Sequence, residues 1–162
     1  MNFYKTVMFL LFFSIFSEVM AAELVMDDAI YKDSLSHYQP QLSDSFKQAL
    51  KTADVAEGKE FFMRKCSSCH DEYQSDTHGK GPNLWNVFGR KAGTAKGFDY
   101  SEAMRNSGHV WTYATLNYYL TKTERAVPGR AMNFRGIRKD AYRAKLLMFL
   151  RTMNDQPPAL PE

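Results

Sequence analysis

Three stretches of the chain carry apolar residues at three- and four-residue steps, which marks one face of a helix. In the first, Leu42, Phe46, Ala49 and Leu50 keep helical spacing, with Ser43 among them a residue type suited to cap a first turn. In the second, Asp54 and Glu57 have the spacing of a capping box, and Val55, Gly58, Phe62, Cys66 and Cys69 then run along one face. In the third, Tyr142, Leu146, Phe149, Leu150 and Met153 share a face from about Asp140 to Met153, with Pro157 and Pro158 beyond to end it. A glycine inside a buried stripe costs about 1 kcal/mol relative to alanine. Gly58 is explained if the third helix crosses the second closely at that point.

The N-terminus has a different pattern. Lys5 precedes Val7–Phe16, an apolar run of ten residues broken only by Ser14, and the small residue Ala21 follows. This is the three-part layout of a secretory signal, predicted over residues 1–22. The alternative is a retained membrane anchor, but a span needs about 20 apolar residues and this run has roughly half of that. Residues 23–52 are polar around Pro40 and read as an N-terminal arm, flexible or forming one short helix. Residues 53–154 form the main domain and 155–162 a C-terminal tail. Neither an internal repeat nor a low-complexity tract interrupts this plan.

Composition narrows the class. Hydrophobic residues make up 44% and charged ones 24% of the 162 residues, which excludes a wholly disordered or collagen-like chain. The formal net charge of +3 is too weak to argue for nucleic acid, yet it conceals an asymmetry. The arm has three Lys against five acids (net −2), whereas residues 53–154 have 17 Lys+Arg against 10 Asp+Glu (net +7). With 12 Phe, 9 Tyr and 2 Trp, the chain has more aromatic surface than a small aliphatic core needs. A flat apolar group packed against those rings would account for the excess.

The two cysteines stand at Cys66-Ser67-Ser68-Cys69-His70. Thiols three residues apart on a helical turn project to one side, and the histidine follows at once. Each thiol can add across one porphyrin vinyl group while the imidazole reaches the iron from the same face. A thioredoxin-like pair would want a βαβ context, which is lacking. A zinc site would want a second ligand cluster, and a disulfide across one turn would constrain almost nothing. Covalent haem attachment is the reading that uses all three residues. Pro128-Gly129-Arg130-Ala131-Met132 then presents a thioether on a turn, suited to the sixth iron position. A neutral soft sulfur there favours ferrous iron. His37, His78 and His109 are the alternatives, each read as a surface or loop-holding histidine.

Gly58, Phe62, Cys66, Cys69, His70, Gly81-Pro82-Asn83-Leu84, Phe88-Gly89-Arg90, Trp111, Tyr119, Leu120, Pro128-Gly129 and Met132 together resemble class I cytochrome c, of the mitochondrial and soluble bacterial type. The match runs in order from about Asp54 to Thr152. It implies an all-α fold, with about four to five helices wrapped around one covalently bound haem c and the N- and C-terminal helices crossing. It also implies site roles. The Pro82 carbonyl would accept the His70 imidazole proton. Arg90, Tyr100 and Trp111 would hold the inner haem propionate, and the Tyr119 hydroxyl would approach the Met132 sulfur. Phe134 would lie beside the exposed haem edge, and His78 would pin a loop. His70 and Met132 would be the axial iron ligands.

The chain departs from the family pattern at Arg130, where a hydroxyl donor is usual, at Met104, where an asparagine is common, and at Glu124, where a lysine often rims the haem edge. The arm before Asp54 has no mitochondrial counterpart. The implied function is one-electron transfer between redox proteins, not enzymatic catalysis. Lys65, Arg125, Arg138 and Lys139 would steer docking onto an acidic partner surface of an oxidase, reductase or dehydrogenase. The leader points to a bacterial periplasm, with no stable membrane insertion after cleavage. The alternatives are a dedicated electron-accepting subunit of one such complex, or a peroxidase-like activity after loss of Met132.

Overall fold

A computed structural model describes residues 31–162. The predicted leader and the first residues of the arm (23–30) lie outside the described residues. Among the described residues six helices follow one another: α1 (Asp44–Lys51), α2 (Val55–Lys65), α3 (Glu102–Asn106), α4 (Tyr113–Thr121), α5 (Thr123–Ala126) and α6 (Asp140–Thr152). Among the described residues there is no strand, only an isolated antiparallel bridge between Lys91 and Val110. Five of the helices, α2 to α6, fall within residues 53–154. The architecture is the expected all-α one.

The crossing of α2 and α6 organises the core. A Cβ placed on Gly58 would lie inside contact distance of the Lys145 carbonyl and 3.1 Å from the Phe149 Cβ, so only glycine lets the two backbones come this close. One helical turn further on, the Phe62 ring meets Phe149 at 5.3 Å between centroids, and Phe62 is fully buried. Full burial of such a side chain is worth about 1.5–3 kcal/mol. The helix start is simpler than its sequence promised. The Asp54 carboxylate accepts from the Glu57 amide at 3.0 Å, but the Glu57 carboxylate pairs with Lys145 of α6 instead of turning back to the cap.

Helix α6 is buried more widely than its stripe predicted. Arg143, Ala144 and Leu147 are buried with Leu146, Phe149 and Leu150, whereas Tyr142 is 40% exposed and stacks on Phe61. The reason is α1, which covers the second flank of α6 with the buried Phe46 and Leu50. The short helix expected in the arm therefore forms, capped by the Ser43 hydroxyl at 3.2 Å from the Phe46 amide, and it is part of the core. The α6 terminus is closed before the prolines, by the Asn154 side chain donating to the Leu150 carbonyl at 2.8 Å. Beyond it, the Pro158 carbonyl accepts from Arg151 Nε at 2.8 Å, which lays the C-terminal residues against the domain.

Candidate functional site

Helix α2 stops at Lys65, so the cysteines stand on the turn after it and not on the helix itself. The Cys69 and His70 amides both donate to the Cys66 carbonyl, at 3.0 and 2.9 Å. This tight turn brings both sulfurs and the imidazole together, with Cys66, Cys69 and His70 all half-buried. Burial, aided by the neighbouring Cys69, pushes the free Cys66 thiol up to about 12. Such surroundings disfavour a thiolate nucleophile and suit a neutral sulfur, as in a thioether.

The His70 ring is fixed by a backbone group. Its Nδ1–H donates to the Pro82 carbonyl at 2.7 Å, which leaves the Nε2 lone pair free for a metal. Burial lowers the pKa of His70 and keeps the imidazole neutral, outweighing the opposite influence of the Pro82 bond. Gly81 lets the chain pass the ring, since a Cβ there would sit 2.8 Å from Nδ1. The same loop is held by His78, whose Nε2 donates to the Lys96 carbonyl at 2.8 Å while Nδ1 accepts from the Asn83 amide at 3.1 Å. Both of its nitrogens are thus engaged, as a loop-pinning residue requires.

A second group of side chains forms a continuous chain. Met132 is half-buried, and the Tyr119 hydroxyl points at its sulfur from 3.9 Å. Tyr119 meets Trp111 edge-on at 5.1 Å, and Trp111 meets His109 at 4.2 Å. Burial raises the pKa of Tyr119, so its hydroxyl stays a donor at any working pH. Phe134 follows on the same loop, half-buried, with its carbonyl taken by the Thr123 hydroxyl.

Arg90 donates from Nη2 to the Asn83 carbonyl at 3.0 Å and from Nη1 to the Trp85 carbonyl at 3.3 Å. Its Nε is buried and has no partner. Tyr100 is close enough for the Arg90 charge to be felt by its phenol, although burial still raises the pKa of that group. A buried donor without an acceptor costs about 1–3 kcal/mol, so an anionic group arriving beside Arg90 would be stabilised. Two sulfurs, a neutral imidazole with a free nitrogen, an aromatic wall and a guanidinium with a partnerless Nε together fit a haem with its propionates.

Several side chains depart from the sequence reading. His109 is buried, not a surface residue, and burial pushes its pKa down to about 4. His37 is exposed as expected, with its Nδ1 2.9 Å from the Ser36 hydroxyl. Arg125 is not a free rim charge, because its guanidinium lies 4.1 Å over the Tyr118 ring. Lys65, Arg138 and Lys139 are exposed. Arg130 and Glu124, two of the unusual residues, form an ion pair with each other, and Arg130 Nε donates to Thr123 at 2.8 Å. Each thus neutralises the other's charge, a link between residues six apart that no periodicity announces. Met104 is buried on α3 beside the Ser107 hydroxyl.

Asn83 and Arg143 were given no role by the sequence. The Asn83 side chain donates to the Tyr73 carbonyl at 2.9 Å and accepts from the Trp85 amide at 2.7 Å. Arg143 donates to the Ile137 carbonyl at 2.6 Å and the Arg138 carbonyl at 3.0 Å, closing the loop that carries Met132. Asn83 lies inside the Gly-Pro-Asn-Leu motif, which was a signal of sorts. Arg143 had none.

The family model described as cytochrome c matches residues 55–154. The chain belongs to the cytochrome c family. Cytochrome c2 of Rhodomicrobium vannielii is 40% identical over 108 residues, covering 67% of this chain and 86% of that protein. A cytochrome c homolog of Bradyrhizobium diazoefficiens is 35% identical over 120 residues, 74% of this chain but 65% of the length of that relative. Among solved structures, cytochrome cH from Methylobacterium extorquens superimposes with a TM-score of 0.58 at 35% identity, over 62% of this chain and 99% of that one. These likenesses support a class I c-type cytochrome, a haem-based electron carrier with covalently bound haem c. The cytochrome c match begins after α1, so the segment before Val55 is an addition to the family domain.

Proposed function

We propose that this chain is an exported monohaem cytochrome that passes single electrons between redox proteins, with His70 and Met132 as axial iron ligands. The observation that carries the reading is the His70 Nδ1–H bond to the Pro82 carbonyl at 2.7 Å, which aims a free, neutral Nε2 beside the two cysteines. Cys66 and Cys69 would each form a thioether to the porphyrin. When bound, the haem supplies an iron that changes oxidation state by one electron.

The protein residues supply a fixed environment for that change. Pro82 holds the His70 ring in one orientation and raises its basicity. The Tyr119 hydroxyl, 3.9 Å from the Met132 sulfur, draws electron density from that sulfur and tunes its strength as a ligand. Arg90, Tyr100 and Trp111 would receive the inner propionate, and the partnerless Arg90 Nε motivates that assignment. Phe134 would border the exposed edge. Lys65, Arg138 and Lys139, exposed cations of a domain with net charge +7 (17 Lys+Arg minus 10 Asp+Glu in residues 53–154), would guide an acidic partner to it. The leader over residues 1–22 makes the periplasm the proposed compartment. Among the described residues, no helix is long and apolar enough to cross a membrane.

A redox titration of the matured protein, with its visible spectrum recorded throughout, tests this. A single one-electron wave is expected, together with a far-red sulfur-to-iron band in the ferric form that Met132→Ala abolishes. Ferrous protein that binds carbon monoxide readily, or a ferric form without that band, would sink the His70/Met132 assignment.

A further inference from the structure

We propose that residues 31–52 are a positioning element that holds the Met132 loop closed and so sets how often the Met132 sulfur leaves the iron. The inference rests on the reading of Met132 as an axial ligand. Its motive is that this segment, added to the family domain, grips the loop at its entry and packs against Arg143, the residue that holds its exit.

The entry to the loop is held by backbone and by stacked rings. The Leu35 amide donates to the Ala126 carbonyl at 2.8 Å, the last residue of α5, and Leu35 and Ser34 are buried. The Tyr118 hydroxyl donates to the Asp33 carbonyl at 2.7 Å, and the Tyr38 ring lies 5.0 Å from that of Tyr118. Arg125, next to Ala126, completes the stack from 4.1 Å. At the exit, Arg143 takes the Ile137 and Arg138 carbonyls. The Arg143 guanidinium lies 5.6 Å from the ring of Phe46, the buried residue of α1. Between these grips run residues 127–136, with Met132 near the middle.

Release of a ligand carried on such a loop is a local opening, and its free energy is set by the contacts that exist only in the closed form. The Leu35–Ala126 bond is a contact of this kind, because Ala126 directly precedes the loop, and the Tyr118–Asp33 bond holds the segment where it can make that contact. An external ligand competes for iron only in the open form, so its apparent affinity rises in proportion to the open fraction. The segment therefore acts through Met132 without touching the haem site itself.

Imidazole is the probe. It is titrated into the ferric holoprotein while loss of the far-red sulfur-to-iron band is followed. Tyr118→Phe should bind imidazole about fivefold tighter, the factor expected from one lost hydrogen bond. Leu35→Ala, which keeps its amide but removes the buried side chain that seats it, should tighten imidazole binding in the same direction. The Ile137 amide, which donates to the Leu120 carbonyl at 2.7 Å, should exchange its hydrogen faster in the same variants. A segment that merely adds stability would lower the urea midpoint and leave the imidazole affinity and the Ile137 exchange at wild-type values, and that result overturns the proposal. Met132→Ala is the control on the reading beneath it. An intact far-red band in that variant removes the ligand assignment and this inference with it, whereas loss of the band there with unchanged imidazole affinity in Tyr118→Phe and Leu35→Ala removes this inference alone.

Discussion

Along residues 73–90, side chains hold their own stretch of backbone. His78, Asn83 and Arg90 bond to carbonyls and amides within about twenty positions of themselves, and Asp155 adds a clasp by accepting from Trp85 Nε1 at 3.0 Å and Asn86 Nδ2 at 2.6 Å. Along residues 126–138, the stretch that carries Met132 is held mostly from outside, by Arg143 of α6, the Leu120 carbonyl of α4 and the Leu35 amide of the N-terminal segment. The first loop is overdetermined and the second depends on a few hubs. Loss of any one contact should cost little in the first and much in the second. For an electron carrier, that places rigidity on the His70 side and adjustability on the Met132 side.

The largest effect is expected where a single hub is lost. Arg143 is buried and serves two carbonyls of the loop and the Asn117 side chain, at 2.7 Å for the latter. Arg143→Met should lower stability by about 3 kcal/mol, because buried carbonyls left without donors cost about 1–3 kcal/mol each. Asn83→Ala, which removes a comparable set of bonds from the His70 side, should cost about 1–2 kcal/mol because neighbouring contacts share the strain. Urea unfolding of both holoproteins checks the pair. Equal losses, or a larger one for Asn83→Ala, would break the contrast between the loops.

A matched pair of glycines sharpens it. Gly136 has φ of +110°, and a Cβ there would lie 2.7 Å from the Thr121 carbonyl carbon, so backbone would have to move against backbone. Gly136→Ala should cost about 2 kcal/mol, within the range for a residue forced into such a conformation. At Gly81 the obstacle is the His70 ring, and Gly81→Ala should cost about 1 kcal/mol of packing strain. Its mark would be spectroscopic, since the ring must turn away from its Pro82 partner. A normal haem spectrum in Gly81→Ala with an unchanged unfolding midpoint in Gly136→Ala would mean that neither loop is fixed where the contacts place it.

The same contrast explains what could be read from the sequence. Cys66, Cys69, His70 and Pro82 lie in short motifs whose chemistry is local, and the α2–α6 crossing was visible in the periodicity of Phe62, Phe149 and their neighbours. What escaped was tertiary. Arg143 looks polar in any pattern, and its burial follows only because α1 covers that flank of α6. The amphipathic stripe of Leu42, Phe46 and Leu50 predicted a helix but could not say what it would cover. Tyr142 kept the period of the core stripe yet is 40% exposed, with one side of its ring stacked on the buried Phe61. Charge pairs such as Glu124 with Arg130 depend on a turn whose geometry no spacing rule supplies.

The smallest effect concerns acid and again separates the two loops. Hydrogen bonds from Asn86 and Trp85 hold the Asp155 carboxyl below its ordinary value, outweighing the slight effect of burial. A depressed folded-state pKa means that the clasp contributes fully above the unfolded aspartate value of about 3.9. Its contribution is lost as pH falls from there through the folded value. Amides of residues 83–86 should therefore lose protection, relative to intrinsic exchange, as pH drops below about 4. Those of residues 134–137 should not follow, since Asp155 makes no bond there. Asp155→Asn, which cannot offer a charged acceptor to both donors, should show the reduced protection already at neutral pH and a flatter acid profile. If that variant keeps the wild-type acid profile, the clasp does not reside in Asp155.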